Sequence, residues 1–544
     1  MIRLSFKPLS LGLLTLACMA AASTASAGTL TTWLGSGASS NWSTANNWTT
    51  TPTTSGTFSL VYEGNRIRMT GTNNLAPPDA VKVDSILFAS TVGSSTSNFT
   101  LAKSATTPAL SLLNGATVTT IAATSGTLSD SISSNLEFGG TATFNMGLRH
   151  NLLLSGTLSG GGSLVKQGAG DLTFSGTNNL VALSIEQGVV QVNQAIAFGG
   201  ITGLTVDIGS SGQTGTFRTN NVVSGTTPYQ TNIKFNLNGD ANITPNNSSN
   251  ITFNAANFNQ AVAGVTTPVT LTLNGGSVSG TNSPLKGTET INGGIQDNSA
   301  SGKVNVTIGT ATSQNVWVLN GINTYTGSTT IQSGSGGKLL MNGTISGSST
   351  TTSYGYLGGS GTFGGAVIIS SGTLAPGGSS AGGEILDTVG DLTMASLSLG
   401  STATTEMTIT GSTSDLYDQL IGSSTLNYGG TLALTMSGTI QSYDNGTVFN
   451  LFTGFTGSPT GDLSAVTLAA VGTDYDGLTF TGTDGVWTST PTASDQTLVF
   501  SQSTGTLTVV PEPSTCAMAL AGLAYGGWQM MRRRRLRQPP TLAA

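Results

Sequence analysis

Side chains that could carry out chemistry are few in this 544-residue sequence. His150 is the only histidine, so triads built on histidine and histidine-rich metal sites have almost nothing to draw on. Glycosidases work with two carboxylates, and Asp474 with Asp476 forms one local acidic pair. Asp415 with Asp418 forms a second pair. Both pairs lie among Gly, Ser and Thr, where solvated turns are the default, so we predict no catalytic residue, no metal site, no cofactor and no enzyme activity.

Three of the six tryptophans stand within a short stretch near the N-terminus that is rich in Ser and Asn, namely Trp33, Trp42 and Trp48. Exposed indoles among polar residues can stack on sugar rings, which makes Trp42 and Trp48 candidates for sugar contact. The interpretation we favour is a cap in which the three indoles cover the open end of the fold, because a bare strand edge invites aggregation.

The elements that must position these residues are strands. Runs such as 163–166, 171–174, 315–319 and 338–341 are short, apolar and bounded by Gly, Asn or Ser. Such runs are typical of strands, and no segment between the two ends of the chain has the period of an amphipathic helix. Many short strands at regular spacing allow a sandwich, a barrel or a solenoid.

Self-similarity favours the solenoid. Segments 172–180 and 317–325 align with each other, and in both an asparagine, Asn178 or Asn323, follows an aligned glycine by two residues. These segments resemble the autotransporter-associated β-strand repeat. The resemblance implies an all-β fold, a right-handed parallel β-helix with end caps, in which stacked coils bury one continuous core. Antiparallel β-sandwich segments outside the repeats are the alternative.

Asn178 and Asn323 are interpreted as corner residues. At corners of stacked coils their side chains could form ladders of hydrogen bonds, and contact with a ligand is the rival interpretation. Segment 414–452 also resembles the region that closes autotransporter-type passengers, and we expect a last strand near 496–500 to lead into the C-terminal segment.

Composition limits the class of partner. Only 8% of residues are charged and the net charge is −6, whereas an average globular domain has about 25% charged residues. A sparsely charged, acidic surface repels nucleic acid, which is therefore not an expected partner. The two cysteines, Cys18 and Cys516, lie in the terminal segments, so no disulfide framework or cysteine–metal site is available between them.

The N-terminus has the pattern of an export signal. A positively charged start, an apolar stretch and small residues predict a signal peptide over 1–27. Ala25 and Ala27 form the small-residue cleavage motif, and cleavage is expected before Gly28. A lipoprotein signal would use Cys18, but the residues before it fit that motif poorly.

The C-terminus combines three devices in series. Pro511, Glu512 and Pro513 form a stiff motif, and the apolar run 515–531 is near the lower length limit for a membrane span. A cluster of arginines would then act as a membrane stop, and it comprises Arg532, Arg533, Arg534, Arg535 and Arg537. This arrangement resembles the PEP-CTERM sorting signal of Gram-negative bacteria, which implies processing by an exosortase and one C-terminal transmembrane helix. An ordinary membrane anchor is the alternative.

The chain is thus expected to have six parts, which are the signal peptide (1–27), an N-terminal cap with the first β coils (28–150), a β-helix with the repeats (151–385), a C-terminal β region or cap (386–508), the sorting signal (509–537) and a tail (538–544). We predict a non-enzymatic, exported protein of the cell surface or extracellular matrix, a structural or adhesive β-helical rod. It would be transiently anchored in the membrane and would have exosortase, and exopolysaccharide, as partners. A polysaccharide-binding protein or carbohydrate-active enzyme on the same scaffold is the alternative.

Overall fold

The computed structural model describes residues 28–535 apart from sixteen short internal segments and residue 512. The sixteen segments are 64–68, 76–79, 90–97, 105–108, 194–203, 221–228, 247–250, 255–257, 261–266, 276–286, 298–301, 310–314, 335–336, 348, 382 and 438–441. The predicted signal peptide with Ala25 and Ala27, the motif residue Glu512, and Arg537 therefore lie outside the described residues. The chain divides into two compact units, Met1–Leu183 and Ser184–Ala544, and each is described by itself.

Unit 1 is built of short strands in which every second residue is buried. Its strands are β1 (Thr29–Trp33), β2 (Thr57–Glu63), β3 (Thr70–Asn73), β4 (Lys82–Ala89), β5 (Thr100–Lys103), β6 (Leu110–Thr120), β7 (Leu128–Ile132), β8 (Leu136–Phe138), β9 (Thr141–Asn145), β10 (His150–Leu154), β11 (Leu158–Ser159), β12 (Ser163–Gln167) and β13 (Asp171–Phe174).

Parallel pairing joins the strands of unit 1 into two main series. Strands β1, β2, β4, β6, β9 and β12 pair in that order, and strands β3, β5, β7, β10 and β13 form the second series. The strand register places apolar residues of successive strands next to each other. For example, Leu152 of β10 pairs with Leu172 of β13, and both are buried. Stacking of this kind buries the apolar face of each strand against the next coil.

Unit 2 contains the remaining strands. They are β14 (Ala182–Ile185), β15 (Gly188–Val192), β16 (Thr205–Ile208), β17 (Gly215–Asn220), β18 (Tyr229–Thr231), β19 (Lys234–Leu237), β20 (Ala241–Asn246), β21 (Ile251–Phe253), β22 (Phe258–Gln260), β23 (Val269–Leu273), β24 (Thr288–Ile291), β25 (Ile295–Gln296), β26 (Val304–Ile308), β27 (Val316–Leu319), β28 (Ile322–Asn323), β29 (Thr329–Ile331), β30 (Lys338–Met341), β31 (Thr344–Ile345), β32 (Thr351–Ser353), β33 (Tyr356–Gly359), β34 (Thr362–Pro376), β35 (Ser379–Ala381), β36 (Glu384–Leu386), β37 (Asp391–Ile409), β38 (Gln419–Gly422), β39 (Leu426–Tyr428), β40 (Thr431–Met436), β41 (Val448–Asn450), β42 (Phe452–Thr453), β43 (Thr460–Gly461), β44 (Ala465–Ala469), β45 (Phe480–Thr483), β46 (Val486–Ser489), β47 (Gln496–Ser501) and β48 (Thr506–Pro511).

Three parallel series run through the first part of unit 2. Strands β16, β19, β22 and β25 form one, β17, β20, β23, β26, β29 and β32 another, and β18, β21, β24, β27, β30 and β33 the third. The long strands β34 and β37 then pair with each other over most of their length. The all-β prediction is thus confirmed, and the long parallel sheets are consistent with a solenoid.

The aligned asparagines are buried and hydrogen-bonded within the protein, and they do not form ladders with each other. Asn323 is buried, its Oδ1 accepts a hydrogen bond from the backbone N–H of Ile295 at 3.0 Å, and its amide donates to two backbone carbonyls. Asn178 accepts from the N–H of Leu180 at 3.4 Å. Two residues before Asn323, a Cβ on Gly321 would collide with the carbonyl oxygen of Gly293, so the repeat needs glycine there.

Apart from isolated bridges, strands of the described part of the chain pair antiparallel in two places. Strands β35 and β36 form a hairpin, and β41, β48, β47, β46 and β45 form a five-stranded sheet in that order. Of the predicted antiparallel alternative, the described residues thus contain one extended sheet, which lies near the C-terminus. The prediction of a last strand near 496–500 was wrong, because β48 follows it and pairs back onto β47 up to Pro511.

The C-terminal helix, α1 (Pro513–Arg535), begins at the second proline of the motif, a position that proline favours. In the described part of the chain, no helix combines the length and the apolar character needed to cross a membrane. The transmembrane helix predicted over 515–531 is therefore not supported. The physical reason is that three glycines and Gln529 lower the mean hydropathy of this segment.

Candidate functional site

The N-terminal tryptophans are packing residues. Trp33 and Trp42 are completely buried and Trp48 is only 5% exposed. Trp48 meets both of the other indoles edge-on, with ring centroids 5.1 Å apart, and Tyr62 packs against Trp33 and Trp48. Neither Trp42 nor Trp48 has a face free for a sugar ring, so the sugar-stacking role is corrected to a structural one.

His150 lies inside unit 1 and has a carboxylate partner. Its Nε2 is 2.7 Å from Oδ2 of Asp130, and its Nδ1 is 2.9 Å from the carbonyl oxygen of Ile121. Both side chains are fully shielded from solvent. The second carboxylate oxygen of Asp130 accepts a hydrogen bond from the N–H of Phe99 at 2.7 Å. A closed set of hydrogen bonds without solvent access indicates a structural role for His150.

The acidic pairs expected from the sequence are not arranged as pairs. Asp474 and Asp476 are both exposed in a turn. Asp415 is exposed in a short 3-10 helix, whereas Asp418, three residues later, is buried. Only Asp418 therefore has an environment that changes its chemistry.

Asp418 is the centre of a carboxylate cluster that the sequence did not reveal. Its two oxygens accept hydrogen bonds from the backbone N–H groups of Gly390 at 2.8 Å and Thr408 at 2.7 Å. Burial, with smaller contributions from the nearby charges of Asp387 and Asp391, raises the pKa of Asp418 from 3.8 to about 7. An acid that titrates near neutrality suits proton transfer. Asp418 is therefore the strongest candidate for a catalytic group in this protein.

The carboxylate cluster also contains Asp387, Asp391, Glu406 and the phenol of Tyr356. Burial and the charge of Asp387 raise the pKa of Glu406, and burial raises that of Asp391. Burial, followed by the charges of Glu406, Asp387 and Asp418, raises the pKa of the Tyr356 phenol. Asp387 also accepts a hydrogen bond from the hydroxyl of Thr408 at 2.7 Å. In the described part of the chain, no three His, Cys, Asp or Glu side chains converge closely enough to hold a metal ion.

The β35–β36 hairpin lies beside this cluster and covers an apolar strip on the outside of a parallel sheet. Ile385 of the hairpin and Tyr356 pack against Val316, Val318 and Leu340. The hairpin is also bonded at its tip, because the hydroxyl of Thr288 lies 2.8 Å from that of Ser380 and accepts from the N–H of Gly383 at 3.0 Å. Asp387 of the cluster directly follows this hairpin in the chain.

The pKa of Asp418 leads to a prediction about pH. A carboxyl whose pKa is raised on folding stabilises the folded protein below its unfolded pKa and loses that contribution as pH rises through its folded pKa. We expect the free energy of unfolding to fall between about pH 4 and pH 7, by up to about 4 kcal/mol. Urea denaturation at pH 4.5 and pH 8 measures this difference. The Asp418→Asn variant should show a much smaller difference, and an unchanged one would contradict the assignment.

Asparagines do form a ladder, at a different place from the one predicted. Asn292 donates to Asn254 at 2.9 Å, Asn320 donates to Asn292 at 2.9 Å and Asn342 donates to Asn320 at 3.3 Å. All four side chains are exposed on successive coils of unit 2. The outer wall here is therefore uncharged, regular and rich in hydrogen-bonding groups.

The C-terminal motif stands directly between a sheet and a helix. Pro511 is exposed at the end of β48, where it pairs with Gln496, and Pro513 begins α1. Beyond it, the guanidinium of Arg532 lies over the ring of Trp528 at 5.3 Å from the centroid, and Arg533 is exposed.

Local sequence signals could not have found the carboxylate cluster, because its members come from four elements that only the strand register brings together. No protein-family model matches this sequence, and no curated protein matches it.

Proposed function

We propose that this chain is a non-enzymatic, exported protein of the cell surface or extracellular matrix, with a structural or adhesive role. The observation that carries the proposal is the Asn254–Asn342 ladder on the outside of successive coils. Such a wall offers repeated, uncharged hydrogen-bonding groups to a second surface or to a polysaccharide. We further propose that the coils wind with a right hand, as strand–crossover–strand units do in nearly all proteins.

Sorting through the C-terminal segment is the second part of the proposal. The Pro511–Pro513 motif resembles that of exosortase substrates, and the signal-peptide pattern over 1–27 fits export. The position of the Pro511–Pro513 motif supports recognition by a processing enzyme, because Pro511 is exposed and the antiparallel sheet ends at this residue. Cleavage near the motif would leave the five-stranded sheet complete.

Delivery of the whole chain to the surface tests this proposal. In a Gram-negative host that contains an exosortase, we expect replacement of Pro511 and Pro513 by alanine to reduce the surface-exposed fraction at least several-fold, measured by antibody labelling of intact cells. The matched control is Pro491→Ala, which changes an exposed proline in another loop. Equal labelling of the double variant and the wild-type protein would refute sorting through the motif.

A carbohydrate-active enzyme is the second candidate, and the carboxylate cluster favours it. Asp418 titrates near neutrality beside further acids, as a general acid in a glycosidase must. The test is release of reducing ends from a panel of polysaccharides by the purified chain. Activity that Asp418→Asn abolishes, and that the exposed control Asp415→Asn leaves intact, would establish this candidate over the non-enzymatic one.

A further inference from the structure

An open cavity of about 240 Å³ lies in the C-terminal part of unit 2. It is formed by the end of β39, the chain around β42 and the turn between β47 and β48. The side chains that matter for its chemistry are Tyr428, Asn450, Phe452, Phe455, Ser503 and Thr504. The cavity involves neither the asparagine ladder nor the carboxylate cluster, so it is a separate site.

One wall of the cavity is aromatic and rigid. The rings of Tyr428 and Phe452 pack edge-on with centroids 5.1 Å apart, and Phe500 supports both from behind. The half-buried ring of Phe455 lies against Gly422, where any Cβ would collide with it. Glycine at that position therefore allows the Phe455 ring to reach the cavity.

The phenol oxygen of Tyr428 is the feature that points to a ligand. Tyr428 is only 2% exposed, and its hydroxyl has no hydrogen-bond partner among the described residues. Other buried tyrosines of unit 2 are bonded, since Tyr475 accepts from the N–H of Tyr443 at 2.8 Å and Tyr325 lies 2.5 Å from the hydroxyl of Thr329. A buried hydroxyl without a partner is costly, so its position at a cavity indicates that something else supplies the partner.

Size and charge define the class of ligand. In the part of the chain that the structure describes, no Asp, Glu, Lys, Arg or His side chain lines the cavity, and its rim carries the hydroxyls of Ser503 and Thr504 and the amide of Asn450. The volume equals that of about eight water molecules, which suits one six-membered ring and not a chain. Aromatic walls with a few polar groups match a ring with apolar C–H faces and hydroxyl edges.

We propose that this cavity binds one neutral sugar unit. The half-buried ring of Phe455 contacts the C–H face of the sugar, the buried ring of Phe452 supports that wall from behind, and the hydroxyl of Tyr428 bonds to one of the sugar hydroxyl groups. Binding at this site does not depend on how the protein is sorted, since it uses only the folded chain.

The test is ligand binding by the purified full chain. Saturation-transfer NMR and titration calorimetry measure the binding. The probes are the methyl glycosides of glucose, galactose, mannose and N-acetylglucosamine at millimolar concentration. At least one should bind. Tyr428→Phe should weaken it about three- to tenfold, which corresponds to one hydrogen bond, and Phe455→Ala should abolish it. Tyr354→Phe, which removes an exposed hydroxyl elsewhere in unit 2, is the matched control and should bind normally.

A second measurement separates a lost contact from misfolding. Because Tyr428→Phe removes a hydroxyl that has no partner within the fold, its melting temperature should equal or exceed that of the wild-type protein. The proposal is overturned if no glycoside binds, if Tyr428→Phe binds as well as wild type, or if glucuronate or a simple phenol binds in preference to every neutral sugar. None of these results bears on surface delivery, which is measured in cells.

Discussion

Replacing Glu289 by alanine is expected to lower the free energy of unfolding of unit 2 by about 3–5 kcal/mol. Glu289 is completely buried, and its two oxygens accept hydrogen bonds from the N–H of Ile251 at 2.9 Å and from the side-chain amide of Asn315 at 3.1 Å. Alanine would leave both donors without a partner and would open a cavity. Trp317 is the cross-strand neighbour of Glu289, so its fluorescence during urea denaturation reports the change locally.

Glutamine at position 289 is the matched control. Burial raises the pKa of Glu289 well above its usual range despite the two hydrogen bonds, because burial disfavours the charged carboxylate. Glu289→Gln keeps the shape and an acceptor oxygen, and we expect it to cost less than about 1 kcal/mol at pH 5. Since a raised carboxyl pKa means that stability is lost as pH rises above the ordinary pKa of glutamate, the stability of the glutamine variant relative to the wild type should increase as pH rises. An alanine variant as stable as the glutamine variant would contradict this account.

The second large effect is expected at the His150–Asp130 pair in unit 1. Removing one partner of a buried pair leaves the other polar group without its bond, which costs about 3–5 kcal/mol. Asp130→Ala also leaves the N–H of Phe99 unpaired, because the same carboxylate holds both groups. Urea denaturation, followed by the fluorescence of the buried tryptophans of unit 1, measures the loss.

Asparagine at position 130 distinguishes hydrogen bonding from charge. Its oxygen can keep the bond to the N–H of Phe99, and its amide can donate to Nε2 of a neutral His150 whose Nδ1 donates to the carbonyl of Ile121. We therefore expect Asp130→Asn to lose much less stability than Asp130→Ala. Equal losses in the two variants would mean that the charge of Asp130, and not the bonded arrangement, stabilises the site. A double-mutant cycle with His150→Ala gives the coupling energy.

Several predictions from local pattern agree with the structure because their cause is local. The runs at 163–166, 171–174 and 338–341 became β12, β13 and β30 with almost the predicted bounds, since alternating apolar residues between turn residues leave few other choices. The bend at Gly321 was predictable for the same reason, and one bond of Asn323, to the Gly321 carbonyl, is local, although its other bonds reach neighbouring coils. Helix formation at Pro513 was likewise a local event.

Predictions that depended on distant partners succeeded less often. The sequence left both a cap and exposed sugar-stacking residues open for the tryptophans near the N-terminus, and only their packing with each other and with Tyr62 showed that they are buried. The asparagine ladder runs through Asn292 and Asn320 rather than the aligned asparagines, because it needs outward-facing positions in register on successive coils. The antiparallel strand β48, which follows 496–500, was missed because it is defined mainly by its pairing with β47.

By itself, the sequence determined that the chain is rich in β-structure, where many of its strands and corners lie, and that its body has little charge. Only the tertiary structure decided which polar groups meet: Asp418 with its acidic neighbours, Asp130 with His150, and Tyr428 with an open cavity. The physical reason is the stacking of coils. Parallel register brings residues from successive coils, roughly 20–45 positions apart, into contact, and that register depends on the length and path of each intervening loop, which no local pattern of residues encodes.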